Sequence, residues 1–195
     1  MKLAVRRILR EWDESLHLTG TSYWGVSGIG APVEFFQNLP LIFPHGFSLL
    51  LEGIDVGRTA KSLYAEHPAK FARKVACDTL SPEPDSFHVE FSPLFAQRLS
   101  ALIEQQGRES AFRHLKGYSP EEVLFTFHDA FEGELVVSSS VAEVAVSEFA
   151  LASKASFSLK QFEFDPHTQL VALDKALNPP WWARLMRRLR LTGSP

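Results

Sequence analysis

The stretch Val123-Leu-Phe-Thr-Phe-His-Asp-Ala-Phe-Glu-Gly-Glu-Leu-Val-Val-Ser-Ser-Ser140 decides how this chain is read. Alternation puts Val123, Phe125, Phe127 and Phe131 on one face of a strand and Leu124, Thr126, His128 and Ala130 on the other, so both faces are largely apolar. A strand of that kind belongs in the middle of a sheet. Ser119-Pro-Glu-Glu122, just ahead of it, has the form of a helix capping box. The phenylalanines at a spacing of two, with Thr126 between them, fit a pleat better than a helical stripe. Glu132 and Gly133 then turn the chain into a second strand, Leu135 to Val137.

Towards the N-terminus, the pattern in Asp85 to Phe91 is again that of a strand, with Phe87, Val89 and Phe91 alternating against His88 and Glu90. Ser92 and Pro93 supply a cap and a first-turn proline, and Phe95, Leu99, Leu102 and Ile103 form the inner stripe of a helix that stops at Gly107. With a further strand near Ala111 to Leu115, this makes a crossover unit. Phe47 to Gly53 is another apolar strand. After it, Asp55 is placed to cap a helix with Val56, Ala60, Leu63 and Tyr64 inside, ended by Pro68. Phe71 and Val75 continue as a second short helix. From His17 to Gly46 the chain reads as irregular, rich in Gly and Pro and loaded with Tyr23, Trp24, Phe35, Phe36 and Phe43; Val33 to Phe36 and Leu39 to Phe43 are its candidate short strands. Val5, Ile8, Leu9, Trp12 and Leu16 give the first helix, Lys2 to Ser15, one apolar face.

Towards the C-terminus, Ser140 and Glu143 form a second capping box, followed by a helix whose face is Val141, Val144, Ala145, Phe149 and Ala152. Phe157 and Leu159 alternate, and the phase then slips to Phe162 and Phe164, which predicts a bulge at Lys160 or Gln161. Asp165-Pro-His-Thr168 is a turn, and Gln169 to Asp174 returns as the partner strand of a hairpin. Trp181, Trp182, Leu185, Met186 and Leu189 make the apolar side of a last helix, opposed by Arg184, Arg187, Arg188 and Arg190. The expected architecture is therefore α/β: one globular domain over 1–177 with a mixed, Phe-rich sheet flanked by helices and a C-terminal hairpin, then a basic amphipathic helix and tail over 178–195.

Composition bounds the function classes. Of 195 residues, 45% are apolar and 22% charged, which excludes a disordered chain. The sixteen Phe fall in most of the segments above, as one continuous core requires. Cys77 is the only cysteine, so no intrachain disulfide and no multi-cysteine zinc site is available, and a reducing, cytoplasmic setting is the expectation. No uncharged run approaches the roughly 18 residues of a membrane span. The net charge is -3, but four arginines and no acid lie in 178–195, leaving -7 on the rest. An acidic body argues against duplex nucleic acid as a partner.

No motif is specific enough to fix an activity. His128 and Asp129, with Glu132 and Glu134 nearby, are the nearest thing to a catalytic cluster: within a strand they point to opposite faces, and they meet only if the strand ends there. In that case His128 is placed as general base or metal ligand, with Asp129 or Glu90 assisting. The plainer alternative is a histidine at the core's edge beside an aspartate that begins a turn. His88 and Glu90 share a strand face, yet the paired cysteines of a zinc deaminase are absent. Phosphate-binding glycine loops, zincin and EF-hand patterns are absent as well, so no cofactor and no metal is assigned.

Two segments carry more aromatic and basic weight than a loop and a tail need. The first expectation is thus a non-enzymatic interaction or regulatory protein that contacts a protein partner, or a second copy of itself. Its contact residues would be Tyr23, Trp24, Phe35 and Phe36 together with Trp181, Trp182, Arg184, Arg187 and Arg188. The alternatives are a small-molecule hydrolase built on His128, and a peripheral protein held to an anionic membrane surface by the last helix.

Overall fold

A computed structural model of the chain describes residues 15–71, 73–76 and 84–162. The expected first helix, Cys77, the hairpin's return strand Gln169 to Asp174 and the terminal helix lie outside the described residues. Seven strands form one sheet: β1 (Ser22–Ser27), β2 (Ser48–Gly53), β3 (Asp85–Glu90), β4 (His114–Tyr118), β5 (Val123–Phe127), β6 (Leu135–Ser138) and β7 (Ser156–Gln161). Their order is β3-β2-β4-β5-β6-β1-β7, so β5, the strand first read from the sequence, is the central one. Four helices accompany them among the described residues: α1 (Pro32–Ile42), α2 (Arg58–Glu66), α3 (Pro93–Gln106) and α4 (Glu143–Ala152).

The α/β class and the Phe-rich sheet are as the sequence predicts, but the mixed pairing is not: every hydrogen-bonded pair is antiparallel. The reason lies in where β2 sits. The crossover through α3 joins β3 to β4, which are parallel to one another, yet β2 lies between them and pairs antiparallel with both.

One face of the sheet carries the core. Leu49, Leu51, Val89, Leu115, Phe125, Phe127, Leu135, Val137 and Val26 pack there against buried residues of all four helices. Phe35 of α1 is its hub, with ring centroids 5.1 to 6.2 Å from those of Phe36, Phe125, Phe127, Phe131 and Phe149. Across the layer α1 packs against α3 and α4, and α2 against α3. On the other sheet face a smaller cluster joins Leu50, Tyr118 and Val123 to Val75, Leu16 and Leu18. Val123 reaches that face because the register shifts beside Tyr118, which pairs with Val123 while Gly117 pairs with Phe125. The expected single face of Val123, Phe125, Phe127 and Phe131 is corrected accordingly. Phe131 joins the core from a turn, at a φ of 70°.

Several boundaries differ from expectation for local physical reasons. The stretch read as irregular contains β1 and α1 instead of the short strands Val33 to Phe36 and Leu39 to Phe43. Pro32 opens α1, Glu34 lies in its first turn, and Phe35, Phe36, Leu39 and Ile42 are buried along one stripe. Asp55 does not cap α2; it occupies a turn at a φ of 60°, and Gly57 is the N-cap residue. Phe71 and Val75 form no helix, because backbone bonds near Val75 go to Leu16: Leu16 N–H donates to Lys74 O and Ala76 N–H to Leu16 O, both at 2.8 Å. The strand placed at Ala111 to Leu115 starts three residues later. Ala142, not Ser140, is the N-cap of α4, and the helix is turned so that Val146, Phe149 and Ala150 are buried while Val144 is exposed. The expected bulge at Lys160 or Gln161 is absent, since β7 pairs with β1 without interruption from Ser156 to Gln161.

Candidate functional site

The titratable cluster lies where β4 begins and β5 ends. β5 stops at Phe127, and the chain turns through Asp129 and Phe131 at positive φ, with Glu132 N–H donating to Asp129 O at 2.9 Å. Gly133 closes the turn; a Cβ there would stand 2.8 Å from the His128 carbonyl oxygen. Because the strand ends before them, His128 and Asp129 do meet, with Nε2 3.5 Å from Oδ2. Arg113 Nε–H donates to Asp129 Oδ1 at 2.7 Å and holds that carboxyl below its usual range. His114, which continues the β4–β5 pairing opposite His128, stacks its ring on that of His128 with centroids 4.0 Å apart and planes 5° from parallel.

His114, His128 and Asp129 each offer a ligand atom within 4.8 Å of the others, so a metal reading has to be tested. The geometry does not suit one. An ion bound to two imidazoles lies in both ring planes, and two nearly parallel stacked planes share no such point. Moreover Asp129 N–H donates to His114 Nδ1 at 3.0 Å, which leaves the proton of the neutral ring on Nε2. The cluster ties two strand ends to a turn.

Glu90 does not join it. His128 continues a row across the sheet through His114 and Glu52 to Ser86, whereas Glu90 lies four residues further along β3, about 13 Å away along the strand. There its carboxylate meets Lys70 Nζ at 3.2 Å and accepts from Ser48 Oγ at 3.4 Å. His88 Nδ1 lies 2.8 Å from Tyr118 Oη, which donates to Phe71 O at 3.1 Å, and burial holds the His88 imidazole below its ordinary pKa.

The aromatic residues expected to meet a partner divide. Phe35 and Phe36 are fully buried, and their aromatic mass belongs to the core. Tyr23 and Trp24 are half-buried on β1. Tyr23 packs on Phe162 with centroids 4.6 Å apart, and Trp24 Nε1–H donates to Val141 O at 3.0 Å. Trp181, Trp182, Arg184, Arg187 and Arg188 lie outside the described residues.

What sequence reading missed is a groove of about 480 Å³ between α1 and α3. Val33, Phe36, Gln37 and Pro40 line it along one helical stripe of α1, with Phe91 joining them. From α3 come Pro93, Ala96, Gln97, Ser100, Ala101 and Glu104, again at helical spacing. The small side chains of Ala96, Ser100 and Ala101 leave the space open. No histidine, cysteine, lysine, arginine or aspartate lines it. Large aliphatic side chains stand exposed on the same helix layer: Leu94 at 58%, Leu41 at 42%, Val144 at 64% and Leu151 at 81%. Compared with known proteins, the chain matches no family model, no curated protein and no solved structure.

Proposed function

We propose that this is a non-enzymatic interaction or regulatory protein, working in the cytoplasm, that binds a protein partner through the outer surface of its helix layer. The observation that supports this reading most is the exposure of Leu41, Leu94, Val144 and Leu151 on α1, α3 and α4. Exposed apolar side chains lose water contact when a partner covers them, which is what drives most protein association. His128 and Asp129, the pair a hydrolase would use, are engaged with Arg113 and His114 and do not line the groove. The cytoplasmic setting rests on the lone cysteine, and no helix among the described residues is long and apolar enough to cross a membrane.

The test is affinity capture from native lysate with the full chain. It compares the wild type, a Leu94→Asp/Leu151→Asp variant and a Glu121→Arg control, all verified as folded by circular dichroism. The expected result is a stoichiometric protein, or a second copy of the chain, held by wild type and control and reduced at least about tenfold by the double variant, as loss of interface anchors predicts. Capture by all three alike, or by none, would contradict the proposal.

A further inference from the structure

We infer that the segment 67–76, strapped along the β3 edge of the sheet, is a contact site for an anionic phospholipid surface: Phe71 enters the headgroup region, and Lys70, Arg73 and Lys74 face its negative charge. This goes beyond the protein-partner reading, which concerns the helix layer. Phenylalanine builds the core of this fold, yet Phe71 is 54% exposed and is the only exposed aromatic side chain among the described residues. The stretch His67-Pro-Ala-Lys-Phe-Ala-Arg-Lys-Val-Ala76 holds three cations and no acid, in a chain whose net charge is -3. Pro68, Lys70, Arg73 and Lys74 are all exposed beside the ring.

The backbone under these side chains is fixed. Pro68 bridges to Val89; Glu90 N–H donates to His67 O at 2.9 Å and Ala69 N–H to His88 O at 3.1 Å. Tyr118 Oη donates to Phe71 O at 3.1 Å, and the bonds between Leu16 and residues 74 and 76 tie down the far end. A partner that meets this strap therefore has little ordering to impose on it. Lys70 Nζ lies 3.2 Å from Glu90, but with its side chain 72% exposed that pair is a weak surface one and leaves the cation in reach of other anions.

The ring of Phe71 has no polar atom to satisfy, so it gains from losing water contact, while the cations gain from negative charge. The interface of an anionic bilayer offers both without a matching pocket. A single-stranded nucleic acid fits less well, because it stacks successive bases on several rings along a basic groove, and the strap has one ring. An acidic protein segment would supply the charge but needs a shaped pocket for the ring. Each cation close to an anionic bilayer is worth about fivefold in partitioning, so a contact of this size is reversible.

The experiment is co-sedimentation of the full chain with vesicles of phosphatidylcholine alone or with about 30% phosphatidylserine. Wild type is compared with Phe71→Ser, with Lys70→Gln/Arg73→Gln and with an Arg58→Gln/Lys154→Gln control of equal charge change, each verified as folded by circular dichroism. The expected result is binding to the phosphatidylserine vesicles that falls about fivefold in Phe71→Ser and at least about tenfold in Lys70→Gln/Arg73→Gln, with a much smaller loss in the control. Neutral vesicles should hold little of the chain, and about 0.5 M salt should release it from the anionic ones. No binding to phosphatidylserine vesicles, or strap variants that bind as the control does, would overturn the inference. Polyglutamate and an oligothymidylate, added to the ¹⁵N-labelled chain, distinguish a soluble polyanion: NMR shifts at 67–76 with either, in a chain that ignores the vesicles, would replace the bilayer with an acidic protein or a nucleic acid.

Discussion

At Gly117 a methyl group would run into the ring of Phe125, which lies directly across from it on β5. Phe125 is fully buried and stacks on Phe43 with centroids 5.4 Å apart, so it has little room to withdraw. Gly117→Ala is expected to cost about 1–3 kcal/mol, the range of overpacked cores, as read from the denaturation midpoint in urea. His88 sets a pH dependence. Burial depresses its folded pKa, so below about pH 6.5 the unfolded chain takes up a proton that the folded chain refuses. Stability from this group is therefore fully present above about pH 6.5 and falls as pH drops towards the depressed folded value. Wild type should lose more stability between pH 7.5 and 5.5 than His88→Gln does; equal losses would show that His88 does not titrate in this way.

At the scale of elements, legibility followed signal strength. In α3 cap, first-turn proline and apolar stripe agree, and Ser92 Oγ does accept from Phe95 N–H at 3.1 Å. The strand status of Val123–Phe127 was legible despite the capping-box pattern because Ser119 uses its hydroxyl locally, accepting from Glu121 and Glu122 N–H at 3.2 Å. α1 was not legible: Pro40 within it and the glycines before it look like loop chemistry, and tertiary packing of Phe35, Phe36 and Leu39 overrides them. The start of α4 was misplaced because Ser140 bonds to Ser138 and Glu122 instead of capping. Ala142, extended at φ -61° and ψ 136°, leaves the first amides without a side-chain acceptor. Ala142→Ser should raise stability by about 0.5–1 kcal/mol, seen as a higher thermal midpoint; a lower one would mean that the N-cap is already satisfied.

For the whole molecule, the candidate site was the least legible part. The meeting of His128 and Asp129 could be stated as a condition on where β5 ends, and that condition holds. The groove could not be stated at all, because Val33 to Pro40 and Pro93 to Glu104 become neighbours only through the packing of α1 on α3. Alanine and serine at helical spacing give no sequence signal of their own. Phe36 was picked out for its aromatic ring; it lines the groove but is fully buried. On the proposed reading, the helix layer binds a partner, and the polar residues at the sheet end hold strands and turns together. The most direct measurement is photo-crosslinking from a benzoylphenylalanine placed at Gln97 on the groove, and separately at His128. The helix-layer proposal predicts one discrete adduct from position 97 and none from position 128. An adduct from 128 with none from 97 would contradict it and return the function to the sheet end.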